Sequence, residues 1–272
     1  MHSLLSPVSL IKVPYIRQAF AAIFAATLVL PATVIAQEDP EKSSSSWGLG
    51  IGAKSSQKPY TGIDRENEAL PLIQFENQYI RLFGPNVALK LPGFEITETH
   101  KIDFSLVGKF DSSGYEDNDA DILEGMSDRK SGFWAGARVD WQTGLADVSM
   151  EWVHDVSGHS KGQSVSLGLE RTWQFSERVM LTPRVGATWQ DSKYVDYYFG
   201  VRESEVLANR GFYEGKSGVN TEVGLRGAYM FDNHNSVFVD AEVSKLSSAI
   251  KDSPLVDRST QNNLTFGYVY RF

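Results

Sequence analysis

Two histidines, an aspartate and a serine crowd into His154-Asp155 and His159-Ser160, the residue types of a Ser-His-acid hydrolase. In such a site an imidazole takes the serine proton and a carboxylate orients the imidazole. Residues this close in sequence seldom converge into that geometry, and no nucleophile motif surrounds Ser160. His100 and His234 stand alone near expected turns. The acidic run Glu116-Asp117-Asn118-Asp119-Ala120-Asp121 offers oxygen ligands to a hard cation, but it lacks the glycine placement and terminal glutamate of a calcium loop. No phosphate-cradling glycine loop occurs. The chain has no cysteine, which excludes thiolate metal sites, a disulfide framework and a lipoprotein anchor. The sequence therefore assigns no catalytic, cofactor-binding or metal-binding residue, and the chain reads as a non-enzyme without cofactor.

A second set of chemically capable residues is spread along the chain: Asp103, Lys109, Arg138, Asp140, Asp147, Glu151, Glu170, Arg184, Glu222, Arg226, Asp240, Glu242 and Arg271. Each sits in a segment whose apolar residues fall on every second position. Phe133, Ala135, Ala137, Val139 and Trp141 alternate with Gly136, Arg138 and Asp140; Val237, Val239, Ala241 and Val243 alternate with Asp240 and Glu242. The segments at 147–152, 164–170, 179–189 and 219–231 repeat the pattern, and no helical period competes. Side chains on a strand alternate faces, so these are strands with one apolar and one polar face. The last, Leu264 to Phe272, ends on an aromatic residue, as outer-membrane barrel strands do.

The connections alternate in length. Thr143-Gly144, Gln174 to Glu177 and Asp232 to Asn235 are short; Ser55 to Glu68, Asp111 to Ser131, Asp155 to Gly162, Asp191 to Ser217 and Ser247 to Asn263 are long and polar. Short periplasmic turns and long extracellular loops are the pattern of a transmembrane antiparallel up-and-down β-barrel. Both termini on the periplasmic side require an even strand count. Reading Tyr79 to Leu91 as a short pair broken at Gly84-Pro85-Asn86 gives twelve strands; reading it otherwise gives ten. Trp47, Trp141, Trp152, Trp173, Trp189, Tyr229, Tyr268 and Phe272 lie mainly near strand ends, where aromatic girdles meet headgroups.

Such a barrel has a narrow lumen. The inward charges of both signs then read as a self-neutralising network, because burial demands pairing. The other reading is a selectivity lining for a small solute.

Residues 1–36 read as a signal peptide: Lys12 and Arg17, an apolar stretch from Ala19 to Leu30, and a small-residue cleavage site at Val34-Ile35-Ala36. Residues 37–46 form a polar, serine-rich periplasmic tether and residues 47–272 the barrel. Net charge is −8, with 26 Lys+Arg against 34 Asp+Glu. The leader holds no acidic residue, so the mature part is more acidic still, which argues against a nucleic-acid partner.

Several landmarks together resemble the MipA/OmpV family of outer-membrane proteins. Pro59-Tyr60-Thr61-Gly62-Ile63-Asp64 is similar to its Pro-x-Tyr-x-Gly-Ser-Asp loop, followed by Leu70-Pro71-Leu72. Leu246 with Asp252-Ser253-Pro254-Leu255-Val256 resembles its Leu…Asp-Ser-Pro segment, and Tyr270-Arg271-Phe272 its Tyr-x-Phe ending. Lys58 departs from the family's usual proline, and Ile63 from its serine. The resemblance implies an outer-membrane scaffold linking a lytic transglycosylase, MltA, to a bifunctional penicillin-binding protein in peptidoglycan assembly. It carries no site residues with it. Outer-membrane lipid and lipopolysaccharide are the expected surroundings. The alternative is a narrow channel for small polar solutes or antibiotics, or a surface adhesin. The aromatic stretch 191–217, with Tyr194, Tyr197, Tyr198, Phe199, Phe212 and Tyr213, is expected to prolong its strands and plug the mouth.

Overall fold

The computed structural model describes residues 45–63 and 65–272. The signal peptide and most of the tether lie outside the described residues. The strands are β1 (Ser46–Ser56), β2 (Glu66–Glu76), β3 (Ile80–Phe83), β4 (Asn86–Thr97), β5 (His100–Asp111), β6 (Gly132–Gln142), β7 (Asp147–Asp155), β8 (Gln163–Glu170), β9 (Trp173–Gln174), β10 (Val179–Gln190), β11 (Gly218–Met230), β12 (Asn235–Lys245) and β13 (Thr260–Arg271). β9 merely continues β8, and both pair with β10. That leaves the twelve strand positions read from the sequence.

The sheet closes because β1 pairs antiparallel with β13, from Gly48↔Arg271 to Ser56↔Asn263. Closure is what lipid requires, since an unpaired backbone group in hydrocarbon costs several kcal/mol. Gly50 permits it: a side chain there would run into the Tyr268 carbonyl. The alternation holds as expected. Phe133, Trp141, Met150, Leu167, Val185, Val223 and Phe266 stand exposed on the outer face, while the residues between them turn inward.

The wall has one irregularity. β3 is four residues long, and β2 pairs with it only at Gln74, Phe75 and Glu76. The Gly84-Pro85 turn then lies on the long-loop side, so the strict alternation of short and long connections fails there. Above it, Glu66–Leu72 of β2 has a neighbour only in β1, and Phe110 and Asp111 of β5 pair only with β6. The Gly84 N–H bonds the Ile73 carbonyl, so the next residue of β2 facing this edge is Pro71, which has no N–H to leave unpaired.

Most of the buried apolar core lies outside the barrel wall. It sits over the extracellular mouth, in loops 57–65, 112–131, 191–217 and 246–259, around Tyr60, Leu123, Val195, Tyr198, Ile250 and Leu255, with Trp134 of β6 and Val153 of β7 joining it from the wall. Here the expected prolonged strands are replaced: β10 stops at Gln190 and β11 starts at Gly218. Between them lies a helix, α1 (Ser192–Phe199). Its aromatic residues bury more apolar surface by lying across the mouth than strands extended into water would.

Candidate functional site: the capped mouth and the lumen

α1 starts where Asp191 caps it, accepting the Tyr194 N–H at 2.9 Å. It buries Tyr194, Val195, Tyr198 and Phe199 on one side. From loop 57–65, the Tyr60 hydroxyl donates to the Tyr198 carbonyl at 3.0 Å; its ring stacks on Phe199 at 5.4 Å and meets Tyr115 edge-on at 5.0 Å. From loop 246–259, the Ser253 hydroxyl donates to the Phe199 carbonyl at 2.6 Å. A short helix, α2 (Ser248–Lys251), contributes buried Ile250. Burial pushes the Tyr115 hydroxyl up to about 12 and holds Tyr60 and Tyr194 well above the usual phenol range.

A charged knot ties loop 112–131 to loop 191–217. Arg129 and Glu205 pair at 3.0 Å with side chains 1% and 3% exposed. Arg129 also donates to the Tyr197 and Ser127 carbonyls, each at 2.6 Å. Glu205 accepts the Ser127 N–H at 3.0 Å and the Arg202 N–H at 3.1 Å. Burial alone would raise its carboxyl, but these backbone donors and Arg129 outweigh it and hold the pKa at about 2. Arg210 is fully buried and donates to the carbonyls of Glu205, Ile122 and Glu124. The donors of both arginines are matched to acceptors, which is what lets such charges sit in a core.

Below the cap most of the inward charges pair, as the network reading expects, while Asp147, Glu170, Glu222 and Arg271 make no ion pair among the described residues. Arg184 of β10 passes over Gly224 of β11, where a side chain would strike its guanidinium. It thereby reaches Asp240 and Glu242 of β12, both at 2.8 Å. Arg226 joins Asp240 at 2.8 Å. Along the adjacent strands β5 to β7, Arg138 binds Asp140 two residues away on β6 at 2.8 Å, and Lys109 of β5 binds Glu151 of β7 at 2.7 Å. Toward the β1–β13 junction, Leu72 and Val269 are buried near the inward glycines Gly52 and Gly48.

The family model described as MltA-interacting protein MipA matches residues 49–272. The chain belongs to the MipA family. It is 27% identical over 235 residues to the putative outer membrane protein YiaT of Escherichia coli K12, covering 85% of this chain and 92% of that one. It is 25% identical over 233 residues to the MltA-interacting protein of the same strain, covering 83% and 90%. OmpV of Vibrio cholerae matches at 27% over 147 residues, 54% of this chain and 57% of that one. Among solved structures, an outer membrane channel from Pseudomonas putida F1 superposes with a TM-score of 0.41 at 11% identity, covering 87% of this chain and all of that one. The closed antiparallel sheet, with the family match and the relatives named as outer membrane proteins, makes this an outer-membrane barrel.

In this MipA-family barrel the two sequence landmarks meet in the cap. Tyr60 bridges Val256, and the Thr61 N–H donates to the Leu255 carbonyl at 2.9 Å. The hydrolase-like residues do not assemble. The Ser160 hydroxyl donates to Asp155 at 2.9 Å, His154 contacts the Gly162 carbonyl and His159 the Ser131 carbonyl. Asp155 accepts the N–H groups of Ser157, Ser160 and Lys161, so it organises its own turn. In the acidic run, Asp119 accepts the Glu116 N–H. Sequence reasoning missed Arg129, Glu205 and Arg210. The available signal was Ile122, Leu123 and Met126, apolar residues in a loop otherwise read as polar.

Proposed function

We propose that this barrel is a non-enzymatic anchor that docks peptidoglycan-processing enzymes, an MltA-type lytic transglycosylase and a penicillin-binding protein, at the periplasmic face of the outer membrane. The capped mouth carries the reading. Four loops spend their aromatic residues on a packed cover, and a mouth covered in this way suits an anchor better than an open pore. The family relative named MltA-interacting protein supports the partner class. Outer-membrane lipid and lipopolysaccharide would meet the exposed apolar face.

A stable interface wants about 800 Å² per partner, more than two- to four-residue turns supply. The end of the β4–β5 hairpin adds to it. Leu91–Thr97 is exposed on both faces, with Phe94 and Ile96 the most open large residues there, and no strand pairs with it on the β3 side. An exposed edge of this kind is a docking template for an extended partner segment.

Two measurements test the proposal. Planar-bilayer recording of the refolded mature chain should show no discrete openings. Immobilised barrel should retain the transglycosylase, and Phe94→Ser with Ile96→Ser should lose it. Salt-dependent openings, or no retention of the transglycosylase, would move the assignment to a narrow channel, and retention unchanged by the hairpin substitutions would move the docking surface away from the β4–β5 hairpin.

A further inference from the structure

A cavity of about 230 Å³ lies between the cap and the lumen wall. We propose that it binds a small polyhydroxylated solute, one sugar ring or a short polyol, which enters through the gap in the wall between β2 and β5. The site stands apart from the anchor reading, and each survives the failure of the other.

The lining sets the ligand class. Glu68, Asp111, Gln190, Asn220, Gln261 and Asn263 converge on the cavity from five strands. Amides and carboxylates together pair with vicinal hydroxyls, which both donate and accept. The Glu68 carboxylate and the Gln261 amide have no hydrogen-bond partner among the described residues, which leaves them open to one from a guest. Two lysines, Lys54 and Lys58, offset three carboxylates, Glu66, Glu68 and Asp111. That near balance favours an uncharged guest over a phosphate or a strong cation. Tyr60, Tyr194 and Phe199 reach the cavity from the cap, and aromatic faces suit the C–H side of a sugar ring. The volume lies below the roughly 300 Å³ at which drug-sized pockets begin, so the guest is small.

The gap sets the route. The cavity is lined by Glu66 and Glu68 on one side of the interruption and by Asp111, Ser112 and Ser113 on the other. Among the described residues no backbone hydrogen bond spans it there. Lys58 pairs with Glu66 at 2.8 Å and donates to the Gly114 carbonyl at 3.2 Å, closing the two edges like a latch.

The test uses the refolded mature barrel in detergent, with D-glucose and D-mannitol as probes and glycine betaine and sodium phosphate as comparators. Saturation-transfer NMR should show saturable binding of a probe and none of the comparators. Glu68→Ala, on β2, and Gln261→Leu, on β13, should each weaken it about tenfold, the effect of losing one good hydrogen bond. Lys58→Ala should speed exchange without abolishing binding. Heat-modifiable migration on gels verifies that each variant is folded, and having variants on two strands keeps the test decisive if one fails. Absence of saturable probe binding, binding untouched by both variants, or preference for betaine or phosphate would overturn the proposal.

Discussion

Replacing Glu205 by alanine leaves the Arg129 guanidinium charged in a core where its side chain is 1% exposed. Breaking one half of a buried pair costs about 3–5 kcal/mol. Arg129 keeps its bonds to the Tyr197 and Ser127 carbonyls, which places the effect at the lower end, about 3 kcal/mol. The loss falls on the cap alone, because neither residue belongs to the strand ladder. A local cost of about 3 kcal/mol raises the open population roughly a hundredfold. Limited trypsin digestion of the folded barrel in liposomes reads this directly, through cleavage at Lys130, Arg202 and Lys216 in the two tied loops. Cleavage should accelerate while heat-modifiable migration of the barrel is unchanged. Arg129→Met with Glu205→Leu removes the stranded charge and should recover part of the protection, limited by the Ser127 and Arg202 N–H groups and the Tyr197 and Ser127 carbonyls that lose their partners. Trypsin resistance equal to wild type in Glu205→Ala, or a double variant as open as the single one, would refute the reasoning.

The same carboxylate gives the cap a pH dependence. Its folded value of about 2 lies below the ordinary 4.5, so it contributes stability above about pH 4.5 that is lost as pH falls toward 2. Cap digestion by pepsin should rise through that window, and Glu205→Gln should flatten the profile. Gly50→Val should block barrel closure, because a side chain there meets the Tyr268 carbonyl across the β1–β13 junction. Gly227→Val, whose site has only a distant Leu181 methyl nearby, should fold normally. Yield of the heat-modifiable form separates the two.

How much of this barrel is legible in its sequence follows from what is local and what is not. A period of two is a property of neighbouring residues, so 133–141 or 264–272 announces a strand and both its faces. The even strand count and the pairing of inward charges follow from lipid outside and a narrow lumen within, and Gly84-Pro85-Asn86 marked the short pair that makes twelve. The partner of each inward charge did not follow: Arg184 reaches Asp240 only because Gly224 leaves the way clear. The cap was least legible. Arg129 and Glu205 lie 76 residues apart, Tyr60 and Tyr198 lie 138 apart, and no periodicity runs through irregular loops. The aromatic content of 191–217 pointed to a plug in the mouth, but not to a helix or to the loops it packs against. The sequence by itself determined a closed membrane barrel, its faces and its direction, because alternation and lipid leave one solution. Only the tertiary structure decided which loops cover the mouth and that a helix does it, that the wall is interrupted above β3 and that a polar cavity lies behind, because each depends on which distant loops meet.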